Sequence, residues 1–222
     1  MRAIRSFVVR GRSTAAQRHA LDELAPRYQA PGGDTPIDLD RLFGRCAPRC
    51  VEIGFGNGDN LLALAAAQPE RDFLGIEVHA PGVGRVLLEI EKRGLANVRV
   101  SRRDAVEVLR MQLAPESIDE LLILFPDPWH KKRHHKRRLI QPEFVDLVAG
   151  VLRHGARLHL ATDWAPYAQQ MLQVLGQHTA FANAAPDPSG FSDRPESRPM
   201  TRFERRGARL GHAVFDLEYR RI

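Results

Sequence analysis

Cysteines, aromatic residues and long apolar runs are all scarce in this sequence of 222 residues. Its two cysteines, Cys46 and Cys50, are too few for a disulfide framework, and no pair of histidines lies near them at the spacing of a zinc site. We therefore interpret both as reduced packing residues and expect no bound metal. No apolar run approaches the roughly 18–20 residues that span a bilayer, so we expect no membrane association.

Residues 1–10 also lack the apolar core and the small-residue cleavage site of a secretory signal peptide. A cytoplasmic protein is therefore expected. A chain of this length can bury a full hydrophobic core, which favours one globular domain with additions at its ends. The composition does not decide between a monomer and a homodimer.

Basic residues, in contrast, are abundant and clustered. The formal net charge is +6, which alone is only a weak indication of an anionic partner. The cations concentrate in three stretches, residues 2–18, 131–138 and 198–209. If these stretches fold onto one face, they form a surface large enough for a folded RNA.

Short apolar segments alternate with helical segments from position 49 onward, which is typical of an α/β fold with a mostly parallel, doubly wound sheet. The predicted strands are Arg49–Phe55, Phe73–Val78, Asn97–Ser101, Ile118–Phe125 and Arg157–Ala161. The predicted helices are Asp59–Ala67, Val83–Arg93, Ala105–Leu113, Pro142–Leu152 and Trp164–Gly176. The segment Ala213–Arg220 alternates polar and apolar residues, and we expect it to add a late antiparallel strand.

The same patterns define the expected domain organisation. Residues 1–45 are predicted to form a basic, partly flexible N-terminal extension with a short helix over 13–25. Residues 46–222 are expected to form the main domain. Within it, residues 130–140 are predicted to be a basic loop, and residues 184–200, rich in Pro, Ser, Asp and Gly, a mobile loop.

The glycine loop, Glu52–Gly58, follows the first predicted strand and has the spacing G-x-G-x-G, whereas dinucleotide-binding proteins have G-x-G-x-x-G. Glu77 ends the second strand and can hydrogen-bond both hydroxyls of a ribose. Asp104 ends the third strand and can receive an adenine amino group, although it is equally suited to cap the following helix. These carboxylates follow successive strands at the end where such folds bind ligands, which favours an adenosyl ligand.

The acidic turn, Phe125–His130, has the sequence Phe-Pro-Asp-Pro-Trp-His and leads directly into the cationic strip, Lys131–Arg138. A turn suited to a small-molecule pocket is thus joined to a dense run of positive charge. This combination suggests an enzyme that acts on nucleic acid, although charged stretches are often only solvated. Trp129 can stack on a base or pack against the protein, and the sequence favours neither.

Several stretches of the sequence together resemble the bacterial tRNA (guanine-N7)-methyltransferases. They are Arg5–Arg10, Glu52–Gly58, Gly75–His79, Arg103–Leu109, Phe125–Lys131, Arg137–Arg138, Ala161–Trp164 and Thr201–Glu204. The resemblance covers nearly the whole chain, and Arg202 stands where many relatives have Lys, which keeps the charge. It implies a Rossmann-like class I methyltransferase fold that binds S-adenosylmethionine, methylates N7 of the guanine at position 46 in the tRNA variable loop, and releases S-adenosylhomocysteine.

The resemblance also implies roles for individual residues, with Asp127 as the catalytic one. The cofactor contacts would be Glu52, Gly54, Gly56, Gly58, Glu77, Asp104, Ala105 and Asp127. The substrate and RNA contacts would be Lys131, Arg133, His134, His135, Lys136, Arg137, Arg138, Asp163, Thr201, Arg202, Phe203 and Glu204. Considered without the resemblance, Asp163 could equally cap a helix, and Thr201 and Glu204 have the spacing of a capping box.

The chemistry of guanine N7 suits the acidic turn. This nitrogen carries an in-plane lone pair and no proton, so its methylation needs no general base. The protein must align N7 with the methyl group and stabilise the positive charge that moves onto the guanine. A carboxylate at Asp127, in a turn stiffened by Pro126 and Pro128, suits both tasks.

Two other functions stay open. A methyltransferase of an exocyclic amine in rRNA or protein commonly has an Asn/Asp-Pro-Pro-aromatic turn, where this chain has Asp127-Pro128-Trp129. A non-enzymatic RNA-binding protein is disfavoured by the intact acidic residues, and a nicotinamide-dependent oxidoreductase by the glycine spacing. S-adenosylhomocysteine should raise the thermal stability of either methyltransferase and leave that of an RNA-binding protein unchanged.

Overall fold

The computed structural model describes residues 13–196, 198–200, 204 and 213–222. The helices are α1 (Ala15–Glu23), α2 (Ala25–Tyr28), α3 (Leu39–Phe43), α4 (Asp59–Ala67), α5 (Ala80–Arg93), α6 (Ala105–Glu107), α7 (Pro142–Val151) and α8 (Ala165–Gly176). The strands are β1 (Arg49–Ile53), β2 (Asp72–Ile76), β3 (Val98–Ser101), β4 (Ile118–Leu124), β5 (Leu152–Thr162), β6 (Phe181–Asn183) and β7 (Phe215–Arg221). A π-helical turn, Val108–Gln112, continues α6, and a 3-10 helix covers Lys132–Arg137. Among these described helices, none is long and apolar enough to cross a membrane.

The described chain divides into two compact units, an N-terminal one that ends at Ala114 and a C-terminal one that begins at Pro115. In the N-terminal unit the strands lie parallel in the order β3-β2-β1. Cys50 on β1 pairs with Phe73 on β2, which pairs in turn with Val98 on β3. Every residue of β1 and β2 is buried, as is usual for parallel strands, which are covered on both faces.

The N-terminal helices pack onto this unit. Helix α1 approaches α5 so closely that a Cβ at Gly84 would lie 2.6 Å from the carbonyl oxygen of Gln17, and a residue without Cβ is needed there. The backbone N–H of Ala30 donates to the carbonyl of Val100 at 2.7 Å, beside β3. The described part of the predicted extension is therefore packed, and a domain boundary between residues 45 and 46 stays a prediction.

In the C-terminal unit the strand order is β4-β5-β7-β6. Strands β4 and β5 are parallel, whereas β7 is antiparallel to both β5 and β6. Leu160 on β5 pairs with Ile123 on one side and with Leu217 on the other, and all three are buried. Tyr167 of α8 is also buried, and its hydroxyl accepts a hydrogen bond from the N–H of Ile140 at 3.1 Å. Helix α8 thereby anchors the segment that follows the cationic strip.

The predicted α/β class, a mostly parallel sheet with a late antiparallel strand, is confirmed. The strand predicted to begin at Arg157 begins at Leu152. Leu152 pairs with Ile118 and Arg157 pairs with Glu120, so residues 153–156 form a bulge between the two pairs. Such a bulge interrupts the period of two residues on which the prediction of strands depends.

Smaller differences have similar causes. The helix predicted over Ala105–Leu113 changes to the π-helical turn at Val108. Helix α3 and strand β6 were not predicted, because five and three residues are too short to show a period.

Candidate active site

The glycine loop leaves β1 with three of its residues in the left-handed region of backbone conformation. Gly54, Gly56 and Gly58 have φ angles of 74°, 55° and 77°. Residues with a side chain rarely adopt these angles, so the spacing of the glycines fixes the path of the loop. A Cβ at Gly58 would also lie 2.2 Å from Cγ2 of Val86, which makes this position sensitive to both backbone angle and volume.

A fourth glycine, Gly82, was not predicted to belong to the site. It lies in the first turn of α5, and a Cβ there would lie 2.1 Å from the carbonyl oxygen of Gly56. The start of α5 is therefore in direct contact with the glycine loop. A glycine immediately after Pro81, at the start of a helix where glycine is unfavourable, is the sequence signal that indicates this contact.

Glu77 is hydrogen-bonded to the same loop. One carboxylate oxygen accepts the N–H of Gly56 at 2.9 Å, and the other accepts the N–H of His79 at 2.9 Å. The side chain is half-buried. Because each oxygen of a carboxylate can accept a second hydrogen bond, Glu77 can hold the loop and still receive ribose hydroxyls. Its structural and ligand-binding roles are compatible.

Glu52, in contrast, lies beneath the loop with 3% of its surface exposed. Its Oε2 accepts a hydrogen bond from Nδ2 of Asn60 at 2.8 Å. Burial beside a neutral amide raises the pKa of Glu52 to about 7, since desolvation disfavours the ionised form. A cationic ligand near this carboxylate would favour ionisation, so a sulfonium cofactor suits it electrostatically.

Asp104 caps the helix that follows β3. Its Oδ1 accepts the N–H of Val106 at 2.9 Å, and Ala105 is buried. The capping role considered for Asp104 is thus present in the structure. The carboxylate is half-buried, and a further role toward an adenine stays a prediction.

In the C-terminal unit, the acidic turn is enclosed by two strained residues. Phe125 and Trp129 have positive φ angles, 54° and 45°, although neither is glycine. Such conformations persist only where the surrounding structure supports them, and they cluster at functional sites. Phe125 is tied to β5 by its N–H, which donates to the carbonyl of Ala161 at 2.8 Å. Between the strained residues, Asp127 is exposed.

Aromatic and cationic groups surround this turn. The ring of His130 contacts that of Trp164 edge to face, with centroids 4.4 Å apart, and Trp129 contacts His134 in the same way at 5.7 Å. The guanidinium of Arg137 lies 5.0 Å from the Trp129 ring centroid, within cation–π range. Trp129 is therefore half-buried among residues of the strip, and stacking on a base stays a prediction.

The cationic strip is mostly exposed, and its contact with RNA stays a prediction. Lys131, Arg133, Lys136 and Arg137 are exposed, and His134 and His135 are half-buried. Desolvation and the neighbouring cations, of which Arg137 acts most strongly, lower the pKa of His134.

Arg138, the last residue of the strip, departs from this prediction because only 1% of its surface is exposed. Its Nε donates to the carbonyl of Pro128 at 2.8 Å, and its Nη1 donates to Oε1 of Gln170 at 2.6 Å. The guanidinium also lies 4.7 Å from the ring centroid of Tyr167. Arg138 thus joins the acidic turn to α8, and an RNA phosphate has no access to it in this arrangement.

The remaining predicted substrate contacts have different positions. Asp163 is exposed. It does not cap α8, the alternative role considered for it, because the N-cap of that helix is Trp164. Glu204 is 4% exposed and forms an ion pair with Arg198. Arg198 belongs to the third basic stretch, and its side chain is also buried. Thr201, Arg202 and Phe203 lie outside the described residues.

Within the described residues, no group of three or more His, Cys, Asp and Glu side chains is arranged to hold a metal ion. Cys46 is exposed and Cys50 is buried, and neither forms a disulfide.

Comparison with known proteins identifies relatives of nearly the same length. Residues 46–217 match the family described as "Putative methyltransferase". The tRNA (guanine-N(7)-)-methyltransferase of Leifsonia xyli is 57% identical over 216 residues, which cover 97% of this chain and 95% of the relative. The protein of the same name from Pseudomonas putida is 52% identical over 222 residues, which cover 100% of this chain and 92% of the relative.

Solved structures support the fold. An antibiotic-related methyltransferase superimposes with a TM-score of 0.57 at 17% identity, and covers 86% of this chain and 96% of its own. A SAM-dependent O-methyltransferase from Thermotoga maritima gives 0.52 at 16% identity, and covers 94% of this chain and 72% of its own. At these identities the likeness shows the Rossmann-like methyltransferase fold alone. The sequence relatives show more, and by their identity and coverage this chain belongs to the tRNA (guanine-N(7)-)-methyltransferase family.

Proposed function

We propose that this protein transfers the methyl group of S-adenosylmethionine to N7 of the guanine at position 46 in the tRNA variable loop. The observation that carries the proposal is the 57% identity over nearly the whole chain to a relative named for guanine-N7 methylation of tRNA. The conformations of the glycine loop and the acidic turn agree with it. We also propose that the protein acts in the cytoplasm, as a monomer or a homodimer.

The N-terminal unit would hold the cofactor, which supplies an electrophilic methyl group on a positively charged sulfur. The glycine loop presents backbone to a ligand, and Glu77 retains the capacity to accept two ribose hydroxyls. Asp104 and Ala105, at the end of β3, would contact the adenine. Glu52, which is buried on β1, would favour the cationic cofactor electrostatically.

Asp127 would orient the guanine and stabilise the positive charge that develops on it. No proton has to be removed from N7, so a carboxylate is sufficient and a general base is unnecessary. Exposure of Asp127 allows a nucleotide to reach it, and the turn that carries it is flanked by the strained residues Phe125 and Trp129. The exposed Asp163 is proposed as a second contact to the substrate.

The exposed part of the cationic strip would bind the tRNA backbone. Lys131, Lys132, Arg133, Lys136 and Arg137 supply five exposed positive charges within seven residues, and His134 and His135 can add hydrogen bonds. The A-form major groove is too deep and narrow for a side chain to reach N7 in a regular duplex. A guanine in the variable loop, splayed from its neighbours, meets this requirement.

Transfer of a radiolabelled methyl group from S-adenosylmethionine to an unmodified tRNA transcript tests this function. The matched control is the same transcript with adenine in place of guanine at position 46. We expect labelling of the first transcript, recovery of the label as N7-methylguanosine, and little labelling of the second. Equal labelling of both transcripts would contradict the proposed position, and labelling of another atom would contradict the proposed reaction.

A further inference from the structure

We infer that Arg198 and Glu204 form a buried ion pair that holds the acidic turn in its active conformation. Glu204 is then a positioning residue, although the family resemblance implies a substrate contact there. This inference rests on the proposed function, since it concerns the turn that carries Asp127.

The burial of the pair leaves Glu204 little access to a substrate. Its two carboxylate oxygens accept from Nη1 and Nη2 of Arg198 at 2.7 and 2.8 Å. The side chains are 4% and 3% exposed. A bidentate arrangement of this kind fixes both partners in orientation. A nucleotide could reach the carboxylate only if the pair opened.

The same guanidinium is attached to the sheet. Nη2 of Arg198 also donates to Oδ2 of Asp216 on β7 at 3.1 Å, and Oδ1 of Asp216 lies 2.7 Å from Nε2 of His159 on β5. All four side chains are at least 96% buried. One cation is thus placed between two carboxylates, and the segment that contains Glu204 is joined to two neighbouring strands.

Arg198 also contacts the acidic turn. Its guanidinium carbon lies 5.7 Å from the ring centroid of Phe125, within cation–π range. Phe125 has a positive φ angle and lies two residues before Asp127. Its backbone N–H is bonded to Ala161, which is the register partner of Asp216. Arg198 therefore contacts the side chain of Phe125, and Asp216 lies beside Ala161, the residue that binds the backbone N–H of Phe125.

Opening the pair should let this strained residue relax and displace Asp127. Since Asp127 is proposed to act on the developing charge, displacement should lower kcat more than it raises KM. Misplacement of a catalytic group by about 1 Å can cost on the order of 100-fold in rate. If Glu204 instead contacted the substrate directly, its substitution should raise KM and weaken tRNA binding more than it lowers kcat.

The test uses Glu204→Gln in the full chain, which keeps the size of the side chain and removes its charge. Glu196→Gln is the matched control, because Glu196 is an exposed carboxylate in the same segment. We expect kcat to fall about 10- to 100-fold for Glu204→Gln, with the Kd for tRNA within about threefold of wild type and Glu196→Gln unchanged. Unchanged kcat, or loss of tRNA binding with kcat retained, would overturn the inference.

Tryptophan fluorescence provides a readout that a loss of stability alone would not change. The two tryptophans of the chain, Trp129 and Trp164, lie in and beside the acidic turn and contact His134 and His130. We expect a shifted emission spectrum for folded Glu204→Gln well below its melting temperature, and a wild-type spectrum for Glu196→Gln. A wild-type spectrum for both variants would contradict displacement of the turn.

A double-mutant cycle with Arg198→Met separates a pair from two independent contacts. For a pair, the double variant should lose about as much activity as the more damaging single variant, since either change opens the same contact. Multiplicative losses would contradict the pair. Should Arg198→Met fail to fold, Arg198→Lys, which keeps the charge and loses the bidentate geometry, replaces it. Failure of the proposed function is distinct, because the wild-type protein would then methylate no tRNA.

Discussion

The glycine loop of the N-terminal unit and the acidic turn of the C-terminal unit are held in place by different means. In the loop, the backbone angles of three glycines and the hydrogen bonds that Glu77 accepts from backbone N–H groups define the path. The turn is contacted by the side chains of Arg138 and Arg198. The first arrangement is set by backbone conformation and by a contact between consecutive elements, whereas the second depends on side chains that are themselves held by later parts of the chain, at Gln170 and Asp216.

Two buried glutamates illustrate the difference. Glu52 has an uncharged partner, Asn60, and burial raises its pKa to about 7. Glu204 has a bidentate guanidinium partner in Arg198, which fixes the orientation of its carboxylate. Burial alone therefore does not define the role of a carboxylate, because the hydrogen-bond partner differs between the two sites.

Substitution of Asp127 should have the largest effect. Asp127→Ala is expected to lower kcat by about 100- to 1000-fold, the usual cost of removing one group that stabilises transition-state charge. The melting temperature should stay near that of wild type, because the side chain is exposed. Single-turnover methyl transfer measures the first quantity and circular dichroism the second. Retention of more than half of the activity would remove Asp127 from the catalytic role.

Substitution of Glu52 should change the pH dependence of stability. The folded protein holds a proton at Glu52 between the unfolded pKa of 4.5 and the folded value of about 7, so its stability falls as pH rises through that window. Glu52→Gln lacks this loss. Its stability relative to wild type should rise by at most about 3 kcal/mol from pH 4.5 to pH 7.5, as measured by urea unfolding without ligand.

A constant difference between the two proteins across that pH range would contradict the burial-based account of Glu52. Asn60→Ala serves as the control, because it removes the hydrogen bond that lowers the pKa and keeps the titrating group. That variant should retain the pH dependence.

A methyl group added at Gly82 should act on the loop through the start of α5. The Cβ of Gly82→Ala would lie 2.1 Å from the Gly56 carbonyl oxygen, so the loop must move. We expect cofactor affinity to fall about tenfold and stability by about 1–3 kcal/mol, as for other overpacked sites. Isothermal calorimetry with S-adenosylhomocysteine measures the affinity.

Gly150→Ala in α7 is the control, since a Cβ there has no neighbour within 4 Å. It should leave cofactor affinity unchanged and leave stability equal or slightly higher, because alanine is the better helix former. Equal effects of the two substitutions would show that the contact between Gly82 and the loop is unimportant.

Substitutions of two adjacent arginines in the cationic strip should have the smallest effects, one on tRNA binding and the other on stability. Arg137→Gln removes an exposed cation, and should weaken tRNA binding several-fold and reduce the slope of log K against log salt by about 1. Arg138→Gln removes a buried one, and should lower stability by about 1–3 kcal/mol with the slope unchanged. Filter binding across salt concentrations distinguishes them. A reduced slope for Arg138→Gln would place that residue on the RNA.

Features that depend on local pattern could be predicted from the sequence. Strands β1 to β4 begin within two residues of their predicted positions, and Glu77 directly follows β2, close to its predicted place at the end of that strand. Motif resemblance identified the family, which the relatives confirm. The glycine loop and the strands are determined by backbone angles and by contacts between consecutive elements of the chain.

Features that depend on distant contacts could not be predicted. Arg137 and Arg138 are adjacent and chemically identical, yet one is exposed and the other is buried beneath the acidic turn. The sequence places Arg198 among the clustered cations, because no local pattern shows that Glu204 and Asp216 both fold against its guanidinium. The number of arginines in a stretch does not show which of them will be buried and hydrogen-bonded to a carbonyl or carboxylate oxygen in the folded protein.

Chemical cleavage of methylated tRNA tests the central claim most directly. Borohydride and aniline break the chain at N7-methylguanosine, so tRNA treated with the wild-type protein and S-adenosylmethionine should be cleaved at position 46 of the variable loop. Asp127→Ala should give far less cleavage in the same reaction time, and Glu196→Gln should give the wild-type pattern. Methyl incorporation without cleavage, or cleavage only outside the variable loop, would contradict the assignment of the acceptor.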